Sequence, residues 1–520
     1  MSWVSYSRKI QWFNVFRGLW TQEPVGDVPF NSVLAGDLSE SGLKNQKGST
    51  YLAQANNVYA PGISGVVRKR PGFSKVRSTA INASGIFTGG VHLGELADEV
   101  VLAVSISGTS HNFYRDNANP PGAISGGTNP TIGQDNHVNF SIFHDGTNPG
   151  VVACTLQRDT PQFFTAGMTR SDFSITGTTL PQFTEVFGQR LLMAAPTTSG
   201  TTFDDRVYWS DIRDGNLITD ATTQFESFET TLKDRVRALR KISDICIVGK
   251  LNNIFTMVVT PEATKPFAIQ EEPAGRLKGP VSNHIIEADQ RLWWMSQTNI
   301  HSFDQFFRIR DWADQIKPTI AGFNDTRREF TISGFDAERD LIIFGVSDAS
   351  DTSHKTTVAL NIKTGALYLW TLQRNMFFTR FVSDEARLIG GGLTGLFYNE
   401  LTGTAGDLDD ATAIIDADVI TPRYWAAYGH KVKIPRVYIA VDPIGSESIT
   451  VQYRVDDNTT WLNPPGSPYS VTGTDHDIII VPLGVWAERL QLRFRNNSAD
   501  EVYSIKSVGL PAMTAVPVPA

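Results

Sequence analysis

From about residue 83 to residue 402 the sequence alternates short apolar runs with turn-forming residues. Val100-Val101-Leu102-Ala103-Val104, Gly150-Val151-Val152-Ala153-Cys154, Arg190-Leu191-Leu192-Met193-Ala194 and Leu341-Ile342-Ile343-Phe344-Gly345 are typical. Such runs are rich in β-branched and aromatic residues, which pack well on a pleated surface, and Gly, Asn or Asp bounds them, so they predict strands. They also come in pairs. Ile245–Gly249 is followed by Ile254–Val258, Arg291–Met295 by Asn299–Phe303, and Ala386–Gly391 by Gly395–Tyr398. Unit starts fall near residues 83, 135, 183, 235, 279, 327 and 375. A recurrence of roughly 40–50 residues is the period of four-stranded propeller blades. The expectation is an all-β fold, a β-propeller of six or seven blades, six if the first and last units share a blade. No repeated Gly-His or Trp-Asp signature marks the units, and a large β-sandwich or a string of smaller β domains is the rival arrangement.

The pattern changes at both ends. Residues 1–50 carry Trp3, Trp12, Phe13, Phe16 and Trp20 in a polar, Gly/Ser-containing stretch with no core of its own. This reads as an arm that buries its aromatic residues on a partner or on its own domain. Residues 51–402 are assigned to the propeller. Residues 403–418, with Gly403-Thr404-Ala405-Gly406-Asp407-Leu408-Asp409-Asp410, read as a linker. Residues 419–520 read as a C-terminal β-sandwich. Its strands include Arg436–Val441, Ser448–Tyr453, Asp477–Val481 and the alternating Arg489–Phe494, and the end, Thr514–Ala520, is expected to be loose. Two short helices are expected, one over Asp311–Lys317 stopped by Pro318 and one around Leu232–Leu239.

Composition narrows the function. Of 520 residues, 41% are hydrophobic and 19% charged, enough to bury a sizeable core, and 43 Gly with 26 Pro fit a turn-rich chain. The formal net charge is -8. The basic residues gather only in Arg68-Lys69-Arg70 and in Lys233, Arg235, Arg237, Arg240 and Lys241. Both read as solvated faces, short of the footprint of a protein that grips DNA. Cys154 and Cys246 lie among apolar residues and predict buried free thiols, with no metal spacing and no disulfide framework. The N-terminus, Met1–Ile10, lacks the apolar segment of a secretion signal, and no run reaches the roughly 18 apolar residues of a membrane helix.

Catalytic patterns are sparse. The nine His form no His-Glu-x-x-His and no cluster in sequence, and no Gly-x-Ser-x-Gly or phosphate-binding loop occurs. Gly390-Gly391-Gly392 lies between two strands and reads as a blade turn. Asp456-Asp457-Asn458-Thr459-Thr460-Trp461 resembles a single sialidase Asp-box, a structural turn. Asp407, Asp409 and Asp410 lack the remaining ligands of a calcium loop. No catalytic, cofactor-binding or metal-ligating residue is assigned, and the expectation is a protein that is not an enzyme.

One stretch is more specific. Asn56-Asn57 is followed by Arg68-Lys69-Arg70-Pro71-Gly72-Phe73. This resembles the N-terminal signature of the tail nozzle and tail hub proteins of short-tailed bacteriophages (podoviruses), the DNA-stabilisation or tail tubular protein B-like family. Phe187-Gly188-Gln189-Arg190-Leu191-Leu192 leading to Tyr208-Trp209-Ser210-Asp211 is similar to the hub branch. So are Lys278-Gly279-Pro280 leading to Trp293-Trp294-Met295-Ser296, and the stretch Arg436 to Trp461. The resemblance implies a structural virion protein. It would form a homo-hexamer beneath the portal and the adaptor (head-to-tail connector) ring, retain the genome, and form the exit channel through which double-stranded DNA passes without sequence-specific binding. It would also dock tail fibres or spikes, and be assembled in the host cytoplasm. The alternative is a receptor-binding or glycan-processing tail protein with a propeller fold.

Overall fold

The computed structural model describes residues 10–14, 28–29, 52, 54–59, 67–94, 99–106, 110–144, 149–219, 222–230, 234–262, 265–382, 385–401, 408–409, 413–421, 423–425, 430–441, 445–473, 478–497, 504–511 and 515–517. The fold is all-β. Among the described residues there are six separate four-stranded antiparallel blades, and four further antiparallel strands at one end of an 11-stranded sheet make a seventh. Their first strands are Gly85–His92, Val138–His144, Phe183–Phe187, Val236–Ile242, Ile286–Ala288, Ile332–Asp336 and Met376–Val382. These sit close to the seven unit starts expected from the periodicity.

The second strand of a blade explains why the apolar runs are so continuous. It lies in the middle of its sheet, and both faces of that sheet press on a neighbouring blade. In Val100–Ile106 every residue is buried. Val101 and Ala103 pack with Phe113 against Val151, Ala153 and Phe164 of blade 2. Leu102 and Val104 point the other way, into Met376, Phe378 and Ile389 of blade 7. Successive side chains leave a strand on opposite faces, so one strand serves two interfaces. Each large side chain so buried contributes about 1.5–3 kcal/mol. Similar apolar clusters fill the joints between blades 2 and 3, 3 and 4, and 4 and 5.

The first strands stand innermost and pack side by side around the ring. Gly89 and Gly90 mark how close they come. A Cβ on Gly89 would lie 2.8 Å from Val138 of blade 2, and one on Gly90 would lie 2.6 Å from Met376 and Phe378 of blade 7. The ring closes with a strand from far upstream. Ser74–Lys75 supplies the fourth strand of blade 7, Ser74 facing Asn399 and Lys75 facing Tyr398.

The C-terminal region is a two-layer sandwich. One sheet orders Val58–Tyr59, Val67–Lys69, Ser504–Pro511, His430–Val441 and Ile478–Ala487. The other contains Gly445–Val455, Arg489–Asn496, Ala417–Ile420 and Gln54–Asn56. Val437, Ile439, Ile449, Val451, Leu492 and Phe494 meet between them. This second sheet runs on into blade 6, since Asn56 pairs in parallel with Leu369.

The structure redraws several boundaries. Residues 54–69 were expected within the propeller, yet they pair with sandwich strands: Gln54 with Ile420, and Ser504 with Arg68. Short strands take their place from partners, and these partners lie hundreds of residues away. The expected linker ends early, at the strand Ala417–Ile420. Ala515–Pro517 pairs with His430–Val432, so this part of the tail is not loose. In the arm, Ile10–Asn14 pairs with Ser507–Pro511 and Val28–Pro29 with Tyr424–Trp425, which places both on their own sandwich. Trp3, Phe16 and Trp20 lie outside the described residues.

Both helix expectations are corrected. Val236–Ile242 is the first strand of blade 4, its apolar and charged positions sorted between blade interfaces and the ring. Over 311–317, a 3-10 turn Asp314–Ile316 runs into an α-helix Lys317–Ala321, so Pro318 begins the helix and does not stop it. Proline is well suited to a first turn, where its missing N–H has no partner to lose.

Candidate functional site

The residues of the N-terminal signature, Asn56 to Phe73, converge at one place, the joint between blade 6, blade 7 and the sandwich. Asn57 is buried, with φ 53, a conformation its short polar side chain tolerates. Its Oδ1 accepts from Thr371 N at 2.8 Å and from Arg70 Nε at 3.2 Å. Its Nδ2 donates to Thr371 Oγ1 and to the Asp416 carbonyl, both at 2.9 Å. Its own N–H donates to the Leu369 carbonyl, and its carbonyl accepts from Arg70 N. One amide thus ties the N-terminal segment, blade 6 and the start of the sandwich.

The basic cluster beside it is buried, against expectation. Arg70 and Lys69 are each 1% exposed. Arg70 donates to the carbonyls of Pro71 and Thr371. Lys69 Nζ donates to Asn496 Oδ1 at 3.0 Å, and Asn496 Nδ2 donates on to the Ser448 carbonyl at 2.7 Å. A buried ammonium needs such partners. Arg68 is half-buried on the strand Val67–Lys69, and Asn56, likewise half-buried, is the strand partner of Asp418 and Leu369. Pro71 and Gly72, both buried, carry the chain to Phe73. Phe73 meets Tyr398 edge-on at 4.6 Å, and the Arg374 guanidinium lies against both rings, 4.0 and 4.3 Å from their centroids. Arg374 pairs with buried Glu400, its Nη2 lying 3.2 Å from Oε2. The motif is a load path between domains, and it presents no reactive group to solvent.

The other hub-like segments are structural as well. Gly188 and Gln189 have φ 58 and 60, the conformation of a tight turn joining the first two strands of blade 3. Arg190 Nη1 then reaches the Ser210 carbonyl at 2.7 Å. At Gly279 a Cβ would lie 1.6 Å from the Lys250 carbonyl oxygen. Gly390 lies against the Arg374–Glu400 pair, so the glycine run belongs to packing. Asp456 turns the chain with φ 52 and accepts from Glu488 N and Arg489 N, and Asn458 accepts from Thr460 N. Cys154 and Cys246 are free and buried, and burial pushes the Cys154 thiol up to about 12.

Two arrangements escaped sequence reasoning because the fold alone assembles them. Ser296, His301 and Asp311 form a line, with Oγ to Nε2 and Nδ1 to Oδ1 each 2.9 Å. That is the order of a nucleophilic triad. Ser296, however, is buried at a strand turn, where its Oγ accepts from Asn299 N and Thr298 N and donates to the Asn299 carbonyl. Burial holds the His301 pKa down, and hydrogen bonds from His301 and Lys278 hold Asp311 well below the usual carboxylate range. The line is a hydrogen-bonded brace within blade 5.

The second arrangement lies at the end of the ring where the first strands of blades 2 to 6 begin. A cavity of about 260 Å³ opens there, and Arg235 and Arg237 of the second basic cluster line it. Both pair with Glu329. Lys233 lies outside the described residues. Arg327 holds Asp135 in a two-bond pair at 2.6 and 3.0 Å. Below them His137 Nδ1 stands 3.2 Å from His284 Nε2, and His354 bridges Ser347 Oγ and the Phe330 carbonyl. Burial drives His284 and His354 down to about 4. The histidines, scattered in sequence, are thus grouped in space. Even so, among the described residues no set of three His, Cys, Asp or Glu is placed to hold a metal ion.

The sequence matches no protein-family model and no curated protein. Solved structures similar in fold include the extracellular domain of a hybrid two-component system from B. thetaiotaomicron, at 12% identity and TM-score 0.41, covering 88% of this chain and 64% of that one. Others are an exo-beta-1,3-galactanase from Phanerochaete chrysosporium (10%, TM-score 0.28, 87% and 100%) and Hsv2 of Kluyvelomyces marxianus (8%, TM-score 0.29, 55% and 88%). The chain spans less than two thirds of the first of these. At such identities the likeness is one of fold alone.

Proposed function

We propose that the chain is a structural subunit of a short-tailed phage tail, of the nozzle or hub kind, working in a homo-hexameric ring below the portal and adaptor. The observation that supports this most is the fate of the signature residues. Asn57, Lys69, Arg70 and Phe73 are spent on joining propeller to sandwich. A ring that retains a pressurised genome needs domains that cannot hinge freely, and this joint supplies that stiffness through buried charge-assisted and aromatic contacts. The overall negative charge suits a channel wall that lets DNA slide. In the virion the chain would meet the adaptor ring on one side and fibres or spikes on another.

Electron microscopy of phage particles decorated with antibody against residues 420–520 tests the reading. Label at the distal tail, below the portal, is the expected result. Label on peripheral fibres, or none on any particle, would overturn it.

A further inference from the structure

The cavity at the ring end holds more positive charge than its own carboxylates balance. Arg327 is matched by Asp135, Arg158 by Asp204, and Lys250 by Asp234. Arg235 and Arg237 are left to share Glu329. Among the described residues, one guanidinium there therefore lacks a counterion of its own. The hydrogen bonding is incomplete on the same wall. Arg237 Nη1 donates to the Val281 carbonyl at 3.2 Å and to Glu329 at 3.3 Å, but its buried Nε finds no acceptor among the described residues. Asn283, which lines the same cavity, has a buried Oδ1 that finds no donor. Buried polar groups are nearly always paired, so this lining is short of partners at both residues. Burial, and next the charge of Arg235, depress the Arg237 pKa, and an anion would offset the Arg235 charge.

The remaining walls restrict the ligand. Phe183 and Phe330 add apolar lining, while Gln157 and Ser282 add neutral polar residues. Rings, amides and a guanidinium pair suit a polyhydroxylated ring bearing a carboxylate better than a bare inorganic anion, and the volume fits a small ligand. We propose that this funnel binds an acidic monosaccharide, a uronic or sialic acid. Its carboxylate would sit on the partly exposed Arg235 and Arg237, and the Asn283 side chain, which lines the cavity, would turn to accept from a hydroxyl. The site does not depend on the tail reading, because it lies within a single chain.

Calorimetry on the full chain at low salt tests this with D-glucuronate and N-acetylneuraminate, using D-glucose, succinate and phosphate as comparisons. At least one sugar acid should bind about tenfold more tightly than any comparison. Arg237→Gln should weaken that binding about tenfold, and so should Asn283→Asp, which adds a carboxylate to the cavity at nearly constant volume. Unchanged thermal midpoints identify folded variants, and Asn283→Asp stands in if Arg237→Gln does not fold. Binding of neither sugar acid, equal binding of succinate or phosphate, or undiminished binding by a folded variant would each overturn the proposal. None of these outcomes bears on where the chain sits in a virion.

Discussion

Asn57 carries an unusual share of the structure for one side chain. Its amide, itself buried, is saturated by Thr371, the Asp416 carbonyl and the buried Arg70 guanidinium. Asn57→Ala strands several of these groups at once, and an unfolding midpoint in urea should report a loss of about 2–4 kcal/mol. Glu400→Ala should cost about 3–5 kcal/mol, because it leaves the Arg374 guanidinium buried and unpaired. A thermal melt of this variant within one degree of the parent would show that the pair contributes nothing. Acid acts at the same scale. His284 and His354 have folded values near 4 against about 6.5 unfolded, so between those limits the unfolded chain binds more protons. Their contribution is present above about pH 6.5 and fades as the pH falls towards 4, at about 3 kcal/mol for each. Charged Arg327 and Asp135 flank the cluster, and His137 touches it. Urea titrations at pH 7.5 and 4.5 should show the fall, and His354→Gln should reduce it.

Among elements, the blades were legible and the joint was not. A second strand such as Val100–Ile106 is buried on both faces, so its sequence is an unbroken apolar run that announces itself. The strands Gln54–Asn56 and Val67–Lys69 are three residues each, and what makes them sandwich strands is pairing with Ile420 and Ser504, which no local pattern encodes. Arg68-Lys69-Arg70 looked like a solvated face for the same reason, since only the folded partners Asn496 and Thr371 reveal why two of its charges are tolerated inside. The signature residues were found by resemblance and their role by geometry. The cavity with Arg235 and Arg237 draws on blades 2 to 6, so spacing along the chain could not expose it. Gly279 tests the packing of elements. With a Cβ 1.6 Å from a backbone oxygen, Gly279→Ala should cost more than about 3 kcal/mol. Gly200→Ala, at φ 82 but with open space around it, should cost only about 1 kcal/mol, for backbone strain alone. Parallel thermal denaturation of the two variants separates clash from strain.

For the whole molecule, the sheet that begins in blade 6 and ends in the sandwich makes two domains behave as one. Native-state hydrogen exchange should therefore find the amides of Val358–Leu360 in blade 6 and of Leu492–Phe494 in the sandwich, both in that sheet, opening with the same free energy. If the sandwich amides exchange well before the blade amides, the joint does not couple them.

The closing of the ring by Ser74–Lys75 also sets a schedule for synthesis. The strand leaves the ribosome early, while its partners Tyr398 and Asn399 are still untranslated. Lys69 waits longer still, for an asparagine 427 residues downstream. At ordinary elongation rates that interval is roughly 20 to 85 seconds. During it the nascent chain can stack blades one by one and close the ring once Tyr398 and Asn399 emerge, but the sandwich stays incomplete until Asn496 follows. A product truncated before Phe397–Asn399 would therefore leave Ser74–Lys75 without its partner strand, and one truncated before Asn496 would leave Lys69 without its hydrogen-bond acceptor.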